Sequence, residues 1–423
     1  MGEDRRADII QGGDAVQIVR KTLGLVDERL VNHGERVGYM LYQMLRDSER
    51  YSEKEALEIF NLGVFHDIGA YKTDEIDKMV KFEADNVWEH SIYGYLFLKY
   101  LSPLKERAEA ILFHHLNYDR YDKVETDFKD IALMIKLTDR VDISMQGRGG
   151  VFDLEEITEG AGSRFAPEHV ELFLKANAKY QIIEHLNSGV YEQEIETIQK
   201  KLVLSPADID LYLQMLAYSI DFRSEYTVSH TVTTVGISVE IARLLNYSAE
   251  DKKRIYYGAL LHDVGKIAIP LEILEYPGKL SPQAMKIMKT HVQISEDILR
   301  GAVADDICEI AVRHHEKLDG YGYHRGLAAA ELTEGQRIVA IADVLSALRQ
   351  RRSYKEAFPK EKIIEVLKEQ SEKGKLCPAI CNLVIGHYDA VMANADSSCE
   401  AFLSVYDNLM IEYERIYNLV SKL

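Results

Sequence analysis

The chain has 423 residues, long enough for two or three domains with substantial cores. Hydrophobic residues make up 47%, and 51 basic against 69 acidic side chains give a formal charge of −18, which argues for a folded protein and against a general nucleic-acid surface or a DNA partner. Cys308, Cys377, Cys381 and Cys399 suggest no disulfide framework, the polar N-terminus lacks a signal core, and no run approaches the roughly 18 apolar residues that cross a bilayer. A cytoplasmic protein with reduced thiols and no membrane span is expected.

Met1 to Gly13 reads as a flexible lead, and helical periodicity begins at AVQIVRKTLGLV. His33 follows near the start of an amphipathic helix, RLVNHGERVGYMLYQML. His66 and Asp67 lie in NLGVFHDIGAY, His90 in VWEHSIYGYLFLKYL, His114 and His115 in AILFHHLNYDRYD, and Asp139 in IALMIKLTDRVDI. GRGG at 147–150 and EGAGSRFAPEH at 159–169 punctuate the chain with turns. Further helices lead to Ser205-Pro206 with Asp208, a helix-start signal that sets the expected domain boundary near 204. The expected domains are residues 14–204 and 205–423.

The second half repeats the ligand order. His230 comes first, then His262 and Asp263 in YYGALLHDVGKIAIP, His291, the pair His314 and His315, and Asp343 in RIVAIADVLSAL. The interval from His33 to His66 is 33 residues and that from His230 to His262 is 32; His90 to His114 spans 24 and His291 to His314 spans 23. Such self-similarity marks two copies of one helical unit. Ten of the 14 histidines belong to the two sets, leaving His169, His185, His324 and His387 outside. The only strand-like text is a short piece near Lys266 to Ile269, so an all-α fold is expected.

Apolar runs flank every member, so these ligands sit on buried helices, where a polar side chain needs a partner that offsets its desolvation. Metal coordination provides one. Imidazoles with carboxylates suit Fe, Mn, Zn, Co or Ni, and the thiolates of a structural zinc or iron–sulfur site are absent. Because one Asp can bridge two ions, seven ligands read as a two-metal centre. Lys266, three residues after Asp263, could meet a phosphate beside the metals. Gly320 and Gly322 could let the backbone approach a substrate, and Tyr321 or Tyr323 could stack on a base.

His262-Asp263 is the signature pair of the HD phosphohydrolase superfamily. HHEKLDGYGYHRGL, from His314 to Leu327, resembles the longer signature of the HD-GYP cyclic-dinucleotide phosphodiesterases, and the resemblance runs from about Tyr226 through Leu376. It implies an all-helical domain with His230, His262, Asp263 and Asp343 about one metal, and Asp263, His291, His314 and His315 about the other. Fe or Mn is favoured. Tyr226 stands where some members carry a Glu for a third ion, so two ions are expected. Arg352 and Lys355 match the family's basic substrate-binding segment, although Ser353 replaces a Pro. The GYP triplet reads Gly322-Tyr323-His324, and Ser346 stands where an Asp usually follows the metal-binding Asp.

The first copy resembles a generic HD domain. Its counterpart of Lys266 is Ala70, and LNYDRYDKVE replaces the glycine-rich loop. His33, His66, Asp67, His90, His114, His115 and Asp139 would form a second metal centre that is regulatory or weakly active. The expected function is metal-dependent hydrolysis of cyclic di-GMP or a related cyclic dinucleotide, with Asp263 and Lys266 as the catalytic residues. The alternatives are a catalytically weak nucleotide receptor or scaffold and a phosphomonoesterase or nucleotidohydrolase. A homodimer or a signalling-protein partner would be compatible with either.

Overall fold

The computed structural model describes residues 10, 12–23, 25, 32–46, 48–72, 88–221, 229–349 and 357–422. Most of the expected lead, Tyr226, Arg352 and Lys355 lie outside the described residues. Among those described there are helices, turns and isolated bridges but no strand, as expected for an all-α protein. The strand-like piece near Lys266 is instead a 3-10 helix, Val264–Ala268. Its apolar alternation arises because Val264, Ile267 and Ile269 are all buried, which a tight helical turn achieves as well as a strand. No described helix is long and apolar enough to cross a membrane.

The chain divides into two compact units, each assembled from separate segments. One comprises Leu23–Met215 with Asn408–Leu423, and the other comprises Met1–Thr22 with Leu216–Asp407. The partition at 215 and 216 falls inside helix Pro206–Asp221, whereas the sequence reading placed a boundary near 204. Pro206 does begin a helix. The first helix, Gly12–Leu23, groups up to Thr22 with the unit of the second half, and the end of the last helix, Tyr388–Val420, groups with the unit of the first.

Within the first unit, helix His33–Leu45 packs against Glu53–Val64 and Lys129–Gly147, and Trp88–Leu101 packs on the 3-10 turn Ile68–Lys72. Ser52 starts the second of these helices through a capping box with Glu55, which satisfies amides that have no intrahelical acceptor. The end of the last helix lies on Trp88–Leu101: Tyr413 stacks on Tyr93 with centroids 4.5 Å apart, and Lys99 Nζ is 2.6 Å from Glu412 Oε1.

The other unit repeats this plan. Helix His230–Leu244 packs on Ala249–Leu261 and Glu334–Arg349, and Thr290–Leu299 packs on the turn Val264–Ala268. Ile237, Ile241, Ile255, Ile338, Ile341 and Leu345 form the centre of its core. The approach of turn to helix requires glycine at matching places. A Cβ on Gly265 would lie 2.0 Å from His291 O, and one on Gly69 would lie 2.0 Å from His90 O.

Candidate metal centres

In the second unit every expected ligand but Asp343 sits at or near a helix end. His230 opens its helix, His262 and Asp263 follow Ala249–Leu261 directly, and His291 is the second residue of Thr290–Leu299. His314 and His315 follow Asp305–Val312, while Asp343 lies within Glu334–Arg349. Asp263 is central, and its two oxygens face different imidazoles. Oδ2 is 3.5 Å from His230 Nε2 and 3.1 Å from His262 Nε2; Oδ1 is 3.4 Å from His291 Nε2 and 3.8 Å from His314 Nε2. Asp343 Oδ1 is 3.2 Å from His230 Nε2, and its Oδ2 is 3.7 Å from His315 Nδ1.

The ring orientations follow from the helix ends. His262 Nδ1 bonds Ala259 O at 2.7 Å, and His314 Nδ1 bonds Ala311 O at 2.7 Å. Each takes a carbonyl that the helix terminus leaves without an amide partner. That bond requires the proton on Nδ1 and directs the bare Nε2 lone pair inward, the arrangement a metal ligand needs. His291 Nδ1 does the same with Met288 O at 2.7 Å.

The electrostatics fit a cation. Burial would lower His230, but Asp263 and Asp343 outweigh it and raise its pKa to about 9. Burial would raise Asp263, yet His262, Lys266 and His230 hold it well below the usual carboxylate range. His314 is lowered to about 3 by burial and by the charge of His262, so it presents a neutral imidazole. Asp263 Oδ1 is buried without a hydrogen bond. A buried acceptor in that state is costly unless something else fills its coordination. His230, His262 and Asp343 bring ligand atoms within 4.8 Å of one another, as do His291, His314 and His315.

The first unit reproduces the arrangement. Asp67 Oδ2 is 3.9 Å from His33 Nε2 and 3.3 Å from His66 Nε2, and its Oδ1 is 3.9 Å from the Nε2 atoms of both His90 and His114. Asp139 Oδ1 lies 3.2 Å from His33 Nε2, and His115 Nε2 is 2.8 Å from His90 Nε2. His66 and His114 bond Gly63 O and Ile111 O through Nδ1, at 2.7 and 2.6 Å. Their Nε2 atoms and Asp67 Oδ1 are buried without hydrogen bonds. All fourteen expected ligands are thus gathered into two clusters of seven.

Residues 30–144 and 214–380 each match a family model described as the HD domain. Over 380 residues the chain is 30% identical to the 3'3'-cGAMP-specific phosphodiesterase 1 of Vibrio cholerae, with 84% of this chain and 86% of that protein covered. The chain belongs to the HD-GYP family. The cyclic di-GMP phosphodiesterase response regulator RpfG of Xanthomonas campestris is 34% identical over 45% of this chain and 52% of its own length. The fold is also that of a cyclic GMP-AMP specific phosphodiesterase crystal structure from V. cholerae, with a TM-score of 0.58, 19% identity, and 89% and 97% of the two chains covered.

Where this HD-GYP chain departs from its family's signature, the structure gives local reasons. Ser346 Oγ lies 3.0 Å from His230 Nδ1 and donates to His230 O at 3.1 Å, so the hydroxyl serves where an Asp is usual. The first unit keeps the carboxylate: Asp142 Oδ2 is 2.7 Å from His33 Nδ1 and Asp142 also pairs with Arg36. His324, in place of the GYP proline, has Nε2 2.8 Å from Glu296 Oε2, and Arg300 and Arg325 pair with the same buried carboxylate.

The glycine-rich loop behaves differently from expectation in two respects. A Cβ on Gly322 would lie 2.4 Å from Glu316 Cα, so this glycine admits the protein's own backbone. Tyr323 packs on His315, with centroids 4.6 Å apart, while Tyr321 is 89% exposed and keeps both faces open. Gly320 has φ of +77°, a turn requirement. Glu316, which the sequence reading passed over, holds the loop by accepting from the amides of Arg325, Gly326 and Leu327 at 2.7, 3.2 and 2.9 Å. Lys266 Nζ is 2.5 Å from Asp263 Oδ2.

Proposed function

We propose that the second unit's centre holds two divalent ions and hydrolyses a cyclic dinucleotide to its linear form. The observation that carries the reading is Asp263, whose two oxygens face two different sets of imidazoles. His230, His262 and Asp343 would hold one ion, His291, His314 and His315 the other, and Asp263 both. Fe or Mn suits this nitrogen and oxygen set. Such a pair supplies Lewis acidity and an activated water, which an anionic diester needs because it repels anionic nucleophiles.

The chain's own groups do the rest. Lys266, beside Asp263, stabilises negative charge that develops on the phosphate and leaving oxygen. Tyr323 and His315 wall one side of the reacting position, and the exposed Tyr321 offers a ring to a base. Arg352 and Lys355 provide further cations for the phosphates. The first unit binds metal at His33, His66, Asp67, His90, His114, His115 and Asp139 but is regulatory or weakly active, since Ala70 supplies no charge. Four free cysteines suit a cytoplasmic location.

The relative matching over both halves is specific for 3'3'-cGAMP, so mixed cyclic GMP-AMP is the first substrate to test, with cyclic di-GMP beside it. Anaerobically purified, metal-loaded chain is compared with Asp263→Ala on both and on simple phosphomonoesters, with metal measured on the same samples. The wild type should convert cyclic dinucleotide to linear product, and Asp263→Ala should lose both turnover and metal. A fully loaded wild type inactive on every cyclic dinucleotide would overturn the reading.

A further inference from the structure

Beside the second unit's centre lies a cavity of about 260 Å³ lined by Lys289, Lys317 and Lys375, together with His315, Tyr323 and Gln370. Three lysines lining one concavity are unexpected in a chain of charge −18. Among the described residues none of the three has a carboxylate within ion-pair distance, although most other basic residues nearby do: Lys266 has Asp263, and Arg300, Arg313 and Arg325 share Glu296. Asp319 also borders the cavity, but it accepts from the Tyr321 amide at 3.0 Å and forms no ion pair with these lysines. Lys289 lies over the face of Tyr323, 4.5 Å from the ring centroid, opposite in kind to a salt bridge because it leaves the charge uncompensated.

The lysines are held in place by their backbones. Leu318 N, next to Lys317, donates to Lys375 O at 3.0 Å, and Lys375 N donates to Gln370 O at 2.9 Å. Lys317 and Lys375 are both half-buried, where an unpaired charge costs more than at the surface. Cations gathered at that cost around a cavity, next to a metal-centre histidine, make a receptor for an anion.

The cavity is smaller than the roughly 300–1,000 Å³ of sites that enclose a whole small molecule. It would therefore take part of a ligand whose remainder lies on the metal centre, and His315 belongs to both places. A cyclic dinucleotide has this character, because its ring carries two phosphodiesters and only one can occupy the metals at a time. The geometry points to the Lys289–Lys317–Lys375 cavity as the subsite for the second, non-scissile phosphate and its nucleoside. This rests on the cyclic-dinucleotide reading above and extends it: the three lysines select a doubly anionic cyclic substrate over a lone diester. Met at 317 or 375 keeps an unbranched, flexible side chain one atom shorter and removes the charge.

The test uses the full, metal-loaded chain and Lys317→Met, Lys375→Met and the double variant, with mixed cyclic GMP-AMP and bis(4-nitrophenyl) phosphate, a diester with no second phosphate. The ratio of kcat/KM for the dinucleotide to that for the small diester should fall tenfold or more in the double variant, chiefly through KM. Calorimetric binding of mixed cyclic GMP-AMP to metal-free protein should weaken in parallel. Lys375→Met, on a loop, keeps the test available if Lys317→Met fails to fold. An unchanged ratio together with unchanged binding would overturn the subsite while leaving the phosphodiesterase reading intact. A wild type that binds the dinucleotide but cleaves neither substrate would overturn the phosphodiesterase reading, and the binding measurement would still decide the subsite. No binding by the metal-free wild type would overturn the subsite and leave the phosphodiesterase reading to the turnover assay.

Discussion

At the scale of single residues, two groups that touch the second centre from different sides should separate cleanly. Lys266→Ala removes a charge that acts on the reacting phosphate, so turnover should fall about 10²- to 10³-fold, with a smaller effect on metal content measured on the same protein. Ser346→Ala removes the partner that orients His230, so the larger effect should appear in metal affinity, weakened about 10- to 100-fold in a competition titration. A Lys266→Ala enzyme with unchanged rate would remove that residue from the reaction. The fourteen clustered histidines and aspartates were legible in sequence because apolar helical runs flank them, and because the same order recurs. The partners were not: Ser346 meets His230 across 116 positions, Asp142 meets His33 across 109, and the three lysines come together only through the fold.

At the scale of elements, the unit is a set of helices whose ends converge, and the tightest junction is the turn after each His-Asp pair. Gly265→Ala would drive a methyl to 2.0 Å from His291 O, a backbone atom that cannot rotate away. The substitution should cost more than about 2 kcal/mol and displace His291 from Asp263, so denaturant unfolding and metal occupancy should fail together. Wild-type stability and full occupancy in Gly265→Ala would show that the turn can move away from its helix. Periodicity marked the helices well, since buried faces repeat every three or four positions. It misread Lys266 to Ile269, because a short run with apolar residues at alternate places fits a tight turn whose surroundings are apolar on several sides.

At the scale of the molecule, the two centres are near copies with unequal equipment, and their roles are best separated inside the full chain. Asp67→Ala should reduce bound metal by about the content of the first centre and retain most cyclic-dinucleotide turnover, whereas Asp263→Ala should retain the first centre's metal and lose turnover. Elemental analysis and product assay on both variants check this, and a larger loss of turnover in Asp67→Ala would reverse the assignment. Dividing the chain near residue 204 is a poor substitute, since it removes Gly12–Leu23 from one unit and Asn408–Leu423 from the other. A linear reading places a boundary at a helix start and has no signal for such an exchange, because an amphipathic helix does not state which core it joins. The exchange has a consequence for how the protein is made. Helix Gly12–Leu23 is synthesised well before the rest of its unit, whose other residues begin nearly two hundred positions later, so at about 5–20 residues per second it waits on the order of ten seconds or longer for them. The unit built around His33 to Asp139 waits longer still, until Glu412 and Tyr413 arrive to cover Lys99 and Tyr93. Neither unit can be completed during synthesis before the segments up to Asp407 and beyond Asn408 have been made, so a chain cut ahead of Glu412 and Tyr413 would leave the unit of the earlier centre incomplete as well.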